Sequence, residues 1–281
     1  GTGGYVSGPV IMAAAQCKIP FVLHEQNVYP GRANRFFAKR AAKVFVSNED
    51  SKKNFSEQAT VTVTGNPVQP VFYNLDKAEG RHAIGIAQDR FLVVVTGGSL
   101  GAQRLNKAIS DLRDNSGWHS LVDRHPELIL MLSTGKEQES SPEIYEGISN
   151  VQVTSYLYNM AQWMAASDLV ISRSGAMTCA ELAALAKPSI LIPYPQAMDD
   201  HQTKNAQSLA AIGGSIVVKD ENFTSDYIVE KISYFIDKPE KLQSMSRALA
   251  ATDKLPAAQL IYQKIAPYLA VKDNGDNEQS K

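Results

Sequence analysis

Residues 168–205, DLVISRSGAMTCAELAALAKPSILIPYPQAMDDHQTKN, gather the residue types best suited to hold an anion and a sugar. Asp168–Ser172 is a short apolar run of the kind a buried parallel strand needs, and Ser174-Gly175 breaks it. Met177–Ala186 then carries small and apolar residues at helical spacing. Lys187-Pro188 ends that helix, Ser189–Pro193 reads as the next strand, and a polar loop opens another helix. A Ser-Gly turn at the carboxyl end of a strand aims helix N-terminal amides outward, which suits an anionic ligand. Glu181 lies one turn into the helix, where a carboxylate can reach ribose hydroxyls. Taken alone, Thr178-x-x-Glu181 reads first as a capping box.

Three further groups of residues could do chemistry. Gly97-Gly98-Ser99-Leu100-Gly101 follows the apolar run FLVVVT and precedes a helix, as a phosphate-binding turn does. It departs from the dinucleotide pattern G-x-G-x-x-G, and close strand–helix packing accounts for such glycines equally well. HEQN, His24–Asn27, sits at the carboxyl end of the strand PFVLH, where open α/β sheets bind ligands. An imidazole beside a carboxylate can do acid–base work. From Gln26 to Asn48 there is no acid, while Arg32, Arg35, Lys39, Arg40 and Lys43 are basic. On a helix Arg32, Arg35 and Lys39 share a face with Phe36 beside them. Such a face is either simply solvated or directed at anionic headgroups or a pyrophosphate.

These groups need a series of parallel strands to position them. The pattern predicts helix over Ser7–Gln16, strand Phe21–His24, helix Arg32–Arg40, and strands Lys43–Val46 and Val61–Thr64. Pro67 and Pro70 exclude a central strand and mark a boundary near Gly65-Asn66-Pro67. A second series runs through helix Asp76–Ile86, strand Phe91–Thr96, helix Ala102–Leu112, and strands Leu128–Ser133 and Val151–Thr154. Helix Met160–Ala166 follows, then the unit described first, then strand Ser215–Val218 after the helix-ending Gly213-Gly214. Helices fill Asp226–Ile236, Pro239–Ala250 and Pro256–Leu269, and the polar tail VKDNGDNEQSK reads as disordered. The expected domains are residues 1–70, 71–252 and 253–281, the last a helix returning to the first domain. Residues 1–66 hold too few strand–helix units for a doubly wound sheet, so an N-terminal truncation is expected.

With 281 residues, 44% hydrophobic and 20% charged, the chain has ordinary globular α/β composition. A formal net charge of −1 gives no case for a nucleic-acid partner. Cys17 and Cys179 have neither metal-ligand spacing nor a disulfide framework around them, and no apolar run is as long as a membrane span. Neither a metal nor a cofactor is expected.

GGYVSGP (3–9), HEQN (24–27), GNPV (65–68), GGSLGA (97–102), RSGAMT (173–178) with Glu181, and DDHQTKNA (199–206) occur in that order. In these motifs, from Gly1 to about Leu269, the chain resembles the MurG family of bacterial cell-wall N-acetylglucosaminyltransferases. GGYVSGP and HEQN carry the distinction, since the C-terminal motifs also fit other UDP-sugar transferases of the GT-B fold. The resemblance implies an α/β GT-B protein with two Rossmann-like domains facing a cleft, the N-terminal one incomplete. It implies inverting transfer of N-acetylglucosamine from UDP-GlcNAc to the 4-hydroxyl of the muramoyl sugar of undecaprenyl-pyrophosphoryl-MurNAc-pentapeptide. The implied location is peripheral, on the cytoplasmic face of the plasma membrane, with Arg32, Arg35 and Lys39 toward an anionic surface. By motif, the uracil lies near Leu157 and Glu181 holds the ribose. Ser99, Arg173, Ala176, Met177 and Thr178 line the nucleotide pocket, His201 and Gln202 contact the sugar, and Asn27 approaches the donor. Gly3, Gly4, Tyr5, Ser7 and Gly8 face the acceptor, and Glu25 and His24 are the available candidates for the base.

Two departures qualify this picture. Gln69 stands where the family usually has arginine after GNPV. The family's first glycine loop, GGTGGH, is absent, and with it a histidine considered as base; the opening GTGG belongs to the later motif. The chain as given is therefore expected to transfer nothing by itself. The other readings are a non-catalytic UDP-sugar-binding remnant and a UDP-GlcNAc 2-epimerase-like protein.

Overall fold

A computed structural model describes residues 1–136, 142–252 and 256–269; the tail expected to be disordered lies outside them. Two compact units result. The first contains residues 1–26, 30–67 and the described C-terminal residues 256–269. The second contains residues 27–29 and 68–252.

The first unit is a three-stranded parallel sheet, β1 (Val22–Glu25), β2 (Lys43–Val46) and β3 (Val61–Val63), in that spatial order. Helices α1 (Ser7–Gln16) and α2 (Arg32–Phe37) accompany it, with Ala38–Arg40 continuing α2 as a 3₁₀ turn. Ile11, Leu23, Phe37, Val44 and Val46 form its core. Strand β1 begins and ends one residue later than its composition suggests. Its limits are set by the ladder to β2, which pairs Val22 with Lys43 and Glu25 with Val46. The short helix α3 (Glu49–Lys52), not foreseen from the pattern, is nucleated locally: the Asn48 side chain accepts from the Ser51 amide at 2.9 Å.

The second unit is a six-stranded, wholly parallel sheet. Its strands are β4 (Phe91–Thr96), β5 (Leu128–Ser133), β6 (Val151–Thr154), β7 (Leu169–Ser172), β8 (Ser189–Leu191) and β9 (Ser215–Val217). Spatial order is β6-β5-β4-β7-β8-β9, so chain direction across the sheet reverses between β4 and β7. Helices α4 (Val71–Asn74), α5 (Lys77–Ile84), α6 (Gln103–Ser110), α7 (Ser116–Arg124), α8 (Met160–Ala166) and α9 (Ala176–Ala184) belong to this unit. So do α10 (His201–Ala211), α11 (Ser225–Asp237) and α12 (Pro239–Ala250), while α13 (Ala257–Leu269) belongs to the first. Both faces of β4 are covered, as its uninterrupted apolar run requires. Val93 and Val95 pack with Leu105, Ile109 and Trp118, whereas Leu92 and Val94 pack with Leu157 and Ala166.

The amino end of this sheet is pinned by a buried polar hub. Asp168 accepts from Lys77, from Arg81 Nη2 at 2.8 Å and from the Leu92 amide at 2.7 Å. Lys187 Nζ donates to the carbonyls of Ala165 and Ser167 at 2.8 and 2.7 Å, and burial pulls its pKa down to about 7. With this charge at the amino end, the carboxyl ends of β4 and β7 are left for the polar turns that follow them.

Candidate functional site

A cleft of about 400 Å³ opens at the carboxyl ends of β4, β5 and β7, at the point where strand order reverses. Open α/β sheets bind ligands at such a place, because the loops leaving the two central strands diverge to opposite faces. Its floor is a row of hydroxyls. Ladder register puts Thr96 opposite both Ser133 and Ser172, and all three residues are nearly inaccessible. Ser172 Oγ is buried with no hydrogen-bond partner among the described residues.

One wall is the glycine turn. Gly97, Gly98 and Ser99 line the cleft, and helix α6 begins beyond them without a side-chain cap. The glycines of this turn differ in what they do. A Cβ on Gly97 would meet the Ala102 backbone nitrogen at 2.4 Å, so Gly97 serves strand–helix packing. Gly98, at φ +86, has open space where a Cβ would stand and keeps the turn low beside the cleft. The turn is held from below by the loop after β5. The Lys136 amide donates to the Ser99 carbonyl at 3.0 Å, and Asn106 Nδ2 donates to the Thr134 carbonyl at 3.0 Å.

The opposite wall is the start of α9. Its N-cap, Gly175, has no side chain to cap it, and no acid in the first turn offsets the positive end of the helix dipole. This corrects the capping-box reading of Thr178-x-x-Glu181. The helix starts at Ala176, which makes Thr178 its third residue rather than its cap. Both Thr178 and Glu181 instead line the cleft. Burial raises the Glu181 carboxyl to a pKa of about 7. No donor among the described residues offers it a hydrogen bond, so its capacity to accept is unspent.

Of the residues singled out for a donor, the cleft brings together Ser99, Leu157, Arg173, Thr178, Glu181 and Gln202. Ala176, Met177, His201 and Asn27 lie outside its walls. Arg173 supports the cleft, donating to the Ile192 and Pro193 carbonyls at 3.1 and 3.2 Å and pairing with Asp220. Gln202 Oε1 accepts from the Tyr194 amide at 3.0 Å, and its own carbonyl accepts from Ser174 Oγ at 2.9 Å. His201 Nδ1 is engaged with the Met198 carbonyl at 2.6 Å. Asn27 Oδ1 accepts from Asn205 Nδ2 at 3.1 Å, and Asn205 Oδ1 accepts from the Val28 amide at 3.0 Å. Buried Asn205 thereby fixes residues 27–29 against α10. Sequence reasoning passed over Asn205, and also Tyr156, Tyr158, Met160 and Met164, the aromatic and apolar end of the cleft.

In the first unit, the acid–base pairing imagined for His24 and Glu25 does not form. Consecutive strand residues point to opposite faces. His24 Nε2 lies 3.1 Å from the Gly65 carbonyl, and burial lowers its pKa. Glu25, 2% exposed, accepts from the Gly31 amide at 2.9 Å and from Asn34 Nδ2 at 2.8 Å, closing the loop that follows β1. Gly3 and Gly4, at φ +85 and +82, form the turn that starts α1; Ser7 Oγ donates to the Gly4 carbonyl at 3.0 Å, and Gly8 and Tyr5 lie beside it. Arg32, Arg35, Phe36 and Lys39 are all exposed.

A doubly wound sheet with a cleft at its switch point, in a chain that also carries a second parallel-sheet unit, is the architecture of a GT-B glycosyltransferase. The glycosyltransferase family 28 C-terminal domain matches residues 92–261 and the family's N-terminal domain matches residues 1–46. The chain belongs to the MurG branch of this family. A UDP-N-acetylglucosamine–N-acetylmuramyl-(pentapeptide) pyrophosphoryl-undecaprenol N-acetylglucosamine transferase of Desulforamulus reducens is 38% identical over 88% of this chain and 67% of its own length. The enzyme of the same name from Acetivibrio thermocellus is 34% identical over 98% of this chain and 74% of its own length. The crystal structure of Acinetobacter baumannii MurG superposes with a TM-score of 0.75 at 26% identity, covering 95% of this chain and 72% of that one. UDP-GlcNAc 2-epimerase of Neisseria meningitidis, at TM-score 0.64 and 18% identity over 95% of this chain and 75% of that one, shares the fold.

Proposed function

We propose that the second unit binds UDP-N-acetylglucosamine and that the chain serves transfer of its sugar to the muramoyl 4-hydroxyl of undecaprenyl-pyrophosphoryl-MurNAc-pentapeptide. The observation that carries this reading is the cleft, which joins the half-buried carboxylate of Glu181 to the glycine turn that leads into α6 and to the start of α9. The carboxylate of Glu181 suits a vicinal diol, and the two helix ends suit a diphosphate. The acceptor oxygen attacks the anomeric carbon from the side opposite UDP. The bond to the diphosphate oxygen breaks with its electron pair, and configuration inverts. Negative charge grows on the departing diphosphate, where the dipole of α9 and the amides of the glycine turn meet it. The hydroxyl proton passes to a base, for which Glu25 and His24 remain the proposed candidates. Gly3, Gly4, Tyr5, Ser7 and Gly8 are proposed to receive the acceptor's pyrophosphate and sugar.

Calorimetric titration of the 281-residue chain tests the donor half of this reading. UDP and UDP-GlcNAc should bind with measurable heat at one site, and GDP-mannose should not compete. Absence of UDP binding, or equal competition by GDP-mannose, would refute it.

We also propose a peripheral position at an anionic membrane, with α2 toward the surface. Among the described residues no helix is long and apolar enough to cross a membrane. The helix exposes Arg32, Arg35 and Lys39 around Phe36, itself 70% exposed. Each basic group near an anionic leaflet contributes on the order of 1 kcal/mol. The double substitution Arg35→Glu, Lys39→Glu should therefore weaken sedimentation with phosphatidylglycerol vesicles by about tenfold or more, and salt should weaken it further. Equal sedimentation of the two proteins would remove α2 from the interface.

A further inference from the structure

The cleft has two chemically distinct ends. Gly98, Ser99 and the start of α9 make one suited to phosphate, whereas Tyr156, Leu157 and Tyr158 make the other suited to a planar, weakly polar ring. The two tyrosines meet edge to face, with centroids 5.0 Å apart and planes at 70°, which holds the Tyr158 ring upright. Tyr158 is 81% exposed, so one face of its ring is open to stacking. Lys136 leaves the glycine-turn side, where its amide donates to Ser99, yet carries its ammonium to the aromatic end. There Nζ stands 4.4 Å from the Tyr156 centroid and 5.8 Å from that of Tyr158. A cation held over an electron-rich face is restrained in position without its donors being consumed.

From this placement we infer that Lys136 and Tyr158 select the nucleobase of the donor, with Tyr158 stacking on the ring and the Lys136 ammonium donating to a ring carbonyl. The inference rests on the donor-site reading above and deepens it. A pyrimidine-dione offers a carbonyl acceptor at the edge where cytosine carries an amino group. An ammonium is donor-only, so it binds the first edge and is opposed by the second. Stacking on Tyr158 tolerates either base, because each has a π-face. The lysine thus supplies discrimination and the tyrosine supplies affinity.

The test measures equilibrium binding of UDP, CDP and uridine to the full chain and its variants. Both side chains are exposed, so their substitution leaves the fold intact. In Lys136→Met, affinity for UDP should fall about tenfold while that for CDP changes less than about twofold. Uridine should lose affinity by the same factor as UDP, because the contact is to the base. Tyr158→Ala should weaken UDP and CDP together, leaving their ratio unchanged. Equal loss of UDP and CDP in Lys136→Met, or loss confined to the phosphorylated ligands, would assign the ammonium to phosphate and overturn the inference. So would unchanged binding in Lys136→Met when wild type binds UDP and Glu181→Ala does not. Failure of wild type to bind UDP refutes the donor-site reading itself and takes this inference with it.

Discussion

Glu181→Ala should weaken UDP binding by about 1–3 kcal/mol, a loss of roughly 5- to 150-fold, because ribose hydroxyls lose a charged acceptor in a partly desolvated place. The dependence on pH makes this more than a truncation effect. Burial lifts the Glu181 carboxyl from 4.5 to about 7, so the empty cleft holds it substantially protonated near neutrality. Diol hydroxyls donate best to the ionised form. UDP affinity should therefore rise as pH increases through about 7, and binding below that pH should release a proton. Glu181→Gln should keep the shape of the cleft, lose the rise with pH and abolish proton release. In the empty protein the sign is opposite. Between pH 4.5 and about 7 the folded state binds more protons at this site than the unfolded chain, so its contribution to stability declines as pH rises. Titration in two buffers of different ionisation enthalpy separates these effects. A heat independent of buffer, with the same affinity in Glu181→Ala, would leave Glu181 as an ordinary helix residue.

Strands in the second unit were legible where they are buried on both faces. FLVVVT can be only a central strand, and β4 and β5 begin and end where their apolar runs do. Legibility failed where tertiary pairing decides. The limits of β1 follow its partner β2, and Ser133, Thr96 and Ser172 become one hydroxyl row only through ladder register across three strands. Helix α7 was missed because Ser116–Arg124 is short and contains Gly117, although Trp118, Leu121 and Val122 form its apolar stripe; its cap, Asn115 accepting from the Trp118 amide at 3.1 Å, was a further available signal. Glu181 was read correctly for position and wrongly for its first role. The pattern S/T-x-x-E carries no information about where the helix starts, and the N-cap is Gly175, three residues before Thr178. In HEQN the types were informative and the neighbours were not. Alternation along β1 separates His24 from Glu25, and Asn34, nine residues beyond Glu25, takes the carboxylate.

Gly135, which drew no attention in the sequence, should prove less replaceable than any glycine of the motif it supports. It follows β5 at φ +90, and a Cβ there would stand 2.1 Å from the Gly101 nitrogen and 2.3 Å from the Gly101 Cα. Both are backbone atoms, so no side-chain rotation relieves the overlap. Gly135→Ala therefore combines backbone strain of about 1–3 kcal/mol with overpacking of about 1–3 kcal/mol, and should destabilise the second unit by about 2–6 kcal/mol in sum. Gly147→Ala isolates the first of these contributions. Gly147 has φ +77 with nothing within 4 Å of its missing Cβ, and it lies outside the cleft. Urea midpoints should fall in both variants and clearly further in Gly135→Ala. Relief of the overlap by movement of residues 100–101 carries Ser99 and the start of α6 with it. UDP affinity should consequently fall in Gly135→Ala under conditions where the protein remains folded, and stay at the wild-type value in Gly147→Ala. Equal midpoints in the two variants would mean that the loop after β5 yields instead. Undiminished UDP affinity in Gly135→Ala would mean that the glycine turn can move without disturbing the phosphate end of the cleft.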